Sequence, residues 1–342
     1  MLGRLSKLTG YTCAGVMTTI NNPNDSMLKL IKFSEEAGSK FIVVGDTKTP
    51  TTWENIGCDF LSIESQLSLF PQFAAITPTK HYARKNFGYL RAKATGTDWI
   101  YETDDDNYPV KNPFEARNLE VTASTFKSSS RWLNIYAIFG IESENSNQRY
   151  LWPRGFDLNS LGNKYDSDLE QTVTSPIQQG LANGDPDVDA IYRLVFGELV
   201  TFKERNPVVL QPGQVCPTNS QTTWWHKSVY QLMYLPSTCT FRLTDILRGF
   251  VAWRIMIEEK QYVSFHNPVV RQDRNDHVLL KDFKDEVELF LGSSEIIETL
   301  LDLQIGGLDR RDALLACYEA LVAYGVVSSD EILILNEWNK HF

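Results

Sequence analysis

The stretch that decides the reading of this chain is Trp99-Ile100-Tyr101-Glu102-Thr103-Asp104-Asp105-Asp106-Asn107-Tyr108-Pro109. Trp99–Thr103 is a short β-prone run, so three consecutive carboxylates arrive where a strand ends and a loop begins. Like charges a few ångströms apart repel and raise one another's pKa, so such a cluster calls for a cation. A divalent ion with oxygen ligands fits, because Mg²⁺ or Mn²⁺ takes one or two carboxylates and completes its shell with water and phosphate oxygens. The competing reading is a solvated acidic turn. The position directly after an apolar strand favours the metal.

Outward from this run, the first hundred residues alternate strand and helix signals. Tyr11–Ile20 is β-prone and ends in Asn21-Asn22-Pro23-Asn24. Ser26–Ala37 has helical spacing, with Ser26 as expected N-cap. Phe41-Ile42-Val43-Val44 reads as a buried parallel strand ending in Gly45-Asp46, and Phe60–Ile63 as a third strand. Lys80–Thr95 reads as a basic helix feeding the aspartate strand. The pattern predicts an α/β fold with a doubly wound, mostly parallel sheet, whose ligands sit beyond the carboxyl ends of the strands. Asp46 and Asp104–Asp106 both occupy such positions, so one pocket is expected to hold them.

Residues 131–214 are richer in turns and aromatics, with Asn183-Gly184-Asp185-Pro186 a turn by composition. Phe241–Glu259 regains helical periodicity, and Val263–Val270 is a further strand. From Asp282 the pattern is helical, broken at Gly306-Gly307 and Val326–Ser329. The expected organisation is one domain over 1–281, with a nucleotide-binding half to about 130 and an acceptor half over 131–281, then a helical extension over 282–342.

The 342 residues carry 42% hydrophobic side chains, enough for a large core, and a net charge of −10 without massed Lys or Arg, which excludes a nucleic-acid footprint. Five cysteines without a C-x-x-C pair read as reduced thiols, neither a disulfide framework nor a zinc site. No stretch reaches the roughly 20 apolar residues of a membrane span. A soluble, cytoplasmic chain is expected, or else a piece of a membrane-anchored parent. Homo-oligomerisation stays open.

Six blocks occur in an order that carries a resemblance: Val43–Pro50, Lys85–Leu90, the D-D-D-N run, Trp152-Pro153-Arg154-Gly155, Arg242–Gly249 and Arg274-Asn275-Asp276-His277. Together they resemble the STELLO-type family of glycosyltransferase-like proteins over about residues 11–286. A weaker similarity is to the plant reversibly glycosylated polypeptides, which act as UDP-arabinopyranose mutases. Both groups imply a GT-A fold, a Rossmann-like half continuous with an acceptor half. The resemblance implies a metal-dependent glycosyltransferase using a nucleoside-diphosphate sugar, UDP-linked, with a glycan or lipid-linked acceptor. A UDP-sugar mutase and a catalytically silent scaffold are the alternatives. STELLO-type proteins are usually anchored in the Golgi membrane.

On this frame Asp104 and Asp106, spaced D-x-D as in nucleotide-sugar glycosyltransferases, are the expected ligands of Mn²⁺ or Mg²⁺, with Asp105 reaching ribose or sugar. His277 completes the shell as a late histidine does in GT-A enzymes, and His266 is its rival. Asp46 accepts from a uracil N–H or a ribose hydroxyl, or else caps the next turn. Lys85, Asn86 and Arg91 are expected at the nucleotide, with Arg84 and Lys93 on a solvated basic face. Arg154 grips phosphate or stacks on Trp152; the mutase-like group has an arginine tied to sugar attachment in the corresponding block. Asp245 is the expected base for the acceptor hydroxyl and equally an N-cap with Thr244. Asp187 and Asp189 are the other candidates, as base or as contacts to acceptor or sugar.

Overall fold

The computed structural model describes residues 11–128, 130–142, 151–273 and 278–342. Strand β1 (Cys13–Thr19) shows how the sheet is built. Its residues are apolar on both sides because both faces are covered. Ala14 and Val16 join one core cluster, and Cys13 and Met17 join the other. Strand β2 (Lys40–Gly45) repeats this with Ile42 and Val44 against Phe41 and Val43. Helix α1 (Asp25–Glu36) buries Met27, Leu30 and Ile31 on the second face. Each fully buried side chain of this size contributes about 1.5–3 kcal/mol. The cap of α1 is Asn24, which accepts from Met27 N at 2.9 Å, not the expected Ser26. Asn24, Asp25 and Ser26 are all capping residues, and local propensity does not choose among them.

On the other face lies helix α4 (Lys85–Ala94), preceded by a 3₁₀ turn at Tyr82–Arg84. The close approach needs Gly88, where a Cβ would meet Val16 Cγ1 at 2.5 Å and Val44 Cγ2 at 2.7 Å. The expected solvated position of Arg84 is overturned. Its side chain is buried and donates to Gln66 Oε1 at 2.8 Å and Thr77 O at 3.0 Å.

Strand β3 (Asp59–Leu61) and β4 (Trp99–Thr103) complete a parallel run in the order β3-β2-β1-β4. Beyond β4 the sheet is mixed. Strand β10 (Thr222–His226) is antiparallel to β4, with Thr222 opposite Thr103, so Ser220 and Gln221 arrive beside the aspartate loop. Strand β8 (Ile177–Gly184) is antiparallel to β10, and β11 (Val263–Gln272) runs parallel to β8. The ends of β1, β2, β4, β8 and β11 therefore meet at one edge. The short β5 (Asn107–Pro109) pairs with β11, and β9 (Val208–Leu210), β6 (Glu120–Ser128) and β7 (Tyr165–Thr174) finish the sheet. Strand β7 of the long β6–β7 pair lies in the region read as turns, and β6 just before it. The solvent side of the pair is polar, so it lacks the apolar run that marked the central strands.

Helices α2 (Ile63–Leu69), α3 (Pro71–Ile76), α5 (Ile135–Phe139) and α6 (Ala190–Val195) are short, while α7 (Thr244–Glu258) is buried along its length. The extension forms α8 (Leu279–Leu301), α9 (Arg310–Tyr324) and α10 (Asp330–Asn339), broken where the glycines and Val326–Ser329 predict. Leu300, Leu314, Tyr318 and Trp338 belong to the same core cluster as Phe87 and Leu247. Among the described residues no helix is long and apolar enough to cross a membrane. The five cysteines are free.

Candidate active site

The strand ends converge on a cavity of about 550 Å³ lined by Thr19, Asp46, Asp104, Asp105, Asp106 and, from α7, Asp245. The one pocket expected for Asp46 and the aspartate run is there. Each aspartate is held by a different segment. Asp104 Oδ1 accepts from Tyr82 Oη at 2.5 Å and Lys85 Nζ at 3.1 Å. Asp105 Oδ2 accepts from Thr19 Oγ1 at 2.6 Å and Asn21 Nδ2 at 2.9 Å. Asp106 Oδ2 accepts from Gln272 Nε2 at 3.0 Å. Asn107 fixes the turn from beneath, donating to Thr103 Oγ1 and to Gln221 O. Burial pushes the Asp104 carboxyl above its ordinary value, and Lys85 and Tyr82 only partly oppose it. Three oxygen-donor carboxylates on one cavity, one of them under-compensated, suit a hard divalent ion that brings water and phosphate oxygens. Among the described residues no three His, Cys, Asp or Glu side chains converge closely enough to hold a metal ion on their own, so an ion here would take one or two of these carboxylates and complete its shell from water and phosphate.

Asp46 bridges backbone, its Oδ1 accepting from Thr47 N and its Oδ2 from His81 N at 3.0 Å, so the turn-capping role is realised within the cavity wall. Lys85 lies behind the site instead of in it. Its fully buried Nζ donates to Tyr82 Oη, Asp104 Oδ1 and the carbonyls of Thr103 and Ser220. An ammonium has three donors, so none is left for a ligand. Asn86 is also removed from the cavity: its amide exchanges hydrogen bonds with the backbone of Leu235 at 2.9 Å. Arg91 turns to Asp59 at 2.7 Å, away from the pocket. The cations that do line it are Lys48 and Lys80, both exposed, with Arg154 and Arg242. The sequence reading missed both lysines, whose signal was their place after a strand-end Asp46 and before the Tyr82 turn.

Arg154 neither reaches for phosphate nor stacks on Trp152. Its Nε and Nη2 donate to Asp187 at 2.9 and 2.8 Å, and Nη1 and Nη2 donate to Asp245 at 3.0 Å each. Nη1 also donates to the Arg242 carbonyl. All five donors of the guanidinium are used. Gly155 makes this turn possible at φ +81°, where a Cβ would lie 2.6 Å from Ile246 Cγ2. Trp152 instead donates to Asp189 Oδ2 at 2.6 Å. Asp189 caps α6 through Tyr192 N and does not line the cavity.

Asp245 stands in the first turn of α7, whose N-cap is Leu243, so the expected capping role is absent. Its Oδ2 also accepts from Ser220 N at 3.1 Å and Ser220 Oγ at 3.2 Å. Burial works against its ionisation, but the Arg154 guanidinium outweighs burial and holds the carboxyl well below the usual carboxylate range. A general base works best with a pKa near the operating pH, so this shift runs the wrong way for that role. His277 lies outside the described residues. His266 sits on β11 with Nε2 2.9 Å from Ser264 Oγ and is absent from the cavity wall.

No protein-family profile matches the chain. Two curated proteins of Arabidopsis thaliana align with most of it. "Probable glycosyltransferase STELLO2" is 28% identical over 307 residues, 84% of this chain and 39% of its own length. "Probable glycosyltransferase STELLO1" is 27% identical over 307 residues, 84% of this chain and 38% of its own. The chain thus spans about two fifths of the length of these relatives. Over most of its length, the chain is distantly similar to the probable glycosyltransferases STELLO1 and STELLO2.

Proposed function

We propose that this domain is a metal-dependent glycosyltransferase that binds a nucleoside-diphosphate sugar, of the uridine type, at the carboxyl edge of its sheet. The observation that carries the reading is the set Asp104, Asp105 and Asp106 on one cavity with Asp46, Lys48 and Lys80. Asp104 and Asp106 would hold the ion, Asp105 the ribose or sugar, and Asp46 the base or ribose. Mn²⁺ or Mg²⁺, when bound, supplies Lewis acidity at the diphosphate, where negative charge grows as the sugar leaves. Lys48 and Lys80 add positive charge on the rim. Lys85 keeps the acidic loop folded from behind. Arg154 with Asp187 and Asp245 shapes the acceptor wall, for a glycan or lipid-linked hydroxyl.

A second reading, a UDP-sugar mutase, uses the same donor site and needs no acceptor. It is favoured by the engagement of both Asp187 and Asp245 by Arg154, since those carboxylates are the ones an inverting transfer would use as base. Interconversion of UDP-pentose ring forms without acceptor would separate the two.

The first test is calorimetric titration with UDP and GDP, each with and without Mn²⁺. Binding of UDP that strengthens at least tenfold with Mn²⁺, and loses that gain in Asp104→Ala/Asp106→Ala, is expected. Folded protein that binds neither nucleotide overturns the donor site and leaves the scaffold reading.

A further inference from the structure

The two walls of the cavity are joined by a chain of side-chain oxygens. Asp104 Oδ1 is 2.5 Å from Tyr82 Oη, Tyr82 Oη is 2.5 Å from Ser220 Oγ, and Ser220 Oγ is 3.2 Å from Asp245 Oδ2. From Asp245 the contacts continue through Arg154 to Asp187. Tyr82 belongs to the turn before α4 and Ser220 to the entry of β10, so the chain crosses from the nucleotide-side wall to the acceptor-side wall.

Three oxygen–oxygen contacts are served by two hydroxyl protons. Ionised carboxylates are acceptors only, while each hydroxyl donates once. An oxygen pair 2.5 Å apart needs a proton between its members, and both Asp104–Tyr82 and Tyr82–Ser220 are such pairs, so here Ser220 donates to Tyr82 and Tyr82 to Asp104. In the reverse sense Tyr82 donates to Ser220 and Ser220 to Asp245, which requires the Asp104–Tyr82 contact to lengthen because no proton then lies in it. Each carboxylate has a second donor whichever way the hydroxyls turn. Asp104 keeps Lys85 Nζ at 3.1 Å, and Asp245 keeps Ser220 N at 3.1 Å and Arg154. Neither sense strands a buried charge.

We infer that Tyr82 and Ser220 form a hydroxyl relay through which a cation at Asp104 is felt at Asp245 and Arg154. This rests on the donor site proposed above. A cation on Asp104 draws its charge away from Tyr82, and both protons turn towards Asp245. No bond other than hydrogen bonds changes, and no proton leaves its oxygen. Tyr82 and Ser220 are positioning residues, acting through the two aspartates. The relay gives the acceptor wall a report of donor-site occupancy without moving the backbone.

The test is Mn²⁺ affinity measured calorimetrically in saturating UDP for the full chain. Ser220→Ala deprives Tyr82 of its alternative acceptor, so its proton stays on Asp104 and competes with the ion. Affinity is expected to fall about three- to tenfold, the value of one hydrogen bond. Tyr82→Phe removes the competitor, so Tyr82→Phe/Ser220→Ala is expected to bind within twofold of Tyr82→Phe alone. Such suppression is a readout that loss of packing would not give. Thermal midpoints are followed in parallel, and Ser220→Cys, similar in shape but a weaker acceptor, replaces alanine if the midpoint drops. Unchanged affinity in the Ser220 variant, or losses that add in the double variant, overturns the relay. Mn²⁺ binding that ignores Asp104→Ala/Asp106→Ala overturns the donor site itself and the relay with it.

Discussion

Glu102 and Arg248 form a fully buried ion pair beneath the site. Glu102 is next but one before Asp104 on β4 and points to the α4 face, fully buried. Arg248 of α7 meets it with two bonds of 2.8 and 2.7 Å, Trp225 Nε1 adds a third at 2.7 Å, and Tyr89 Oη donates as well. A buried ion pair is weak evidence for stability, but breaking one is costly because the survivor keeps its charge out of water. Arg248→Met is therefore expected to lower unfolding free energy by about 3–5 kcal/mol in a guanidinium titration, with Glu102→Gln added to it restoring part of the loss. Equal stability of Arg248→Met and the parent chain would contradict this. Residue type announced Asp104–Asp106 as a site and said nothing of this pair, since an acid on a strand and an arginine on a helix are ordinary until the fold joins them across 146 positions. The same limit explains Arg84: helical spacing assigns it to a face, while Gln66 and Thr77 decide that the face is buried.

Among the elements, the 3₁₀ turn at Tyr82–Arg84 brings Tyr82 to the cavity wall. His81 caps it, with Nδ1 accepting from Ala83 N at 3.1 Å, while its own N–H is held by Asp46. Accepting at Nδ1 requires the neutral ring, and burial holds the imidazole below its ordinary pKa. The unfolded chain then binds the proton more readily, so the stability from this cap is present above about pH 6.5 and is lost as pH falls towards the lowered folded value. Asn accepts at the same place without titrating. The thermal midpoint of His81→Asn is expected to fall less than that of the parent between pH 7 and 5; parallel curves would refute the role. The C-terminal helices act on the same region from outside. Glu331 of α10 accepts from Ser237 N and Thr238 N, and Glu286 of α8 accepts from Arg242 Nε and Ala190 N. These bonds fix the segment that carries Phe241 and Arg242 to the cavity.

For the whole molecule, the extension and the sheet share one core, which sets how the chain unfolds. Leu300, Tyr318, Leu335 and Trp338 are buried with Leu247, Phe250 and Phe73 in the same cluster. A chain ending at residue 281 is expected to be insoluble or to lack a cooperative transition, whereas the full chain unfolds in a single calorimetric step. Two resolved transitions, with a soluble product of the truncation, would show the extension to be separable. The sequence by itself determined the elements whose signals are local: the apolar runs of β1, β2 and β4, the periodicity of α1, α7 and the final helices, and the aspartates at a strand end. It determined the edge of the sheet on which a ligand would sit, because parallel strands alternating with helices leave their carboxyl ends open. Tertiary structure alone decided which other side chains join Asp46 and the aspartate run at the cavity. The antiparallel pairing of β10 with β4 brings Ser220 beside Tyr82, the parallel pairing of β11 with β8 brings Gln272 to Asp106, and Arg154 meets Asp245 across 91 positions. Periodicity records which face of an element is apolar, a property of neighbours within a few residues. The partner of a buried charge is fixed by strand order and helix packing, which no local window contains.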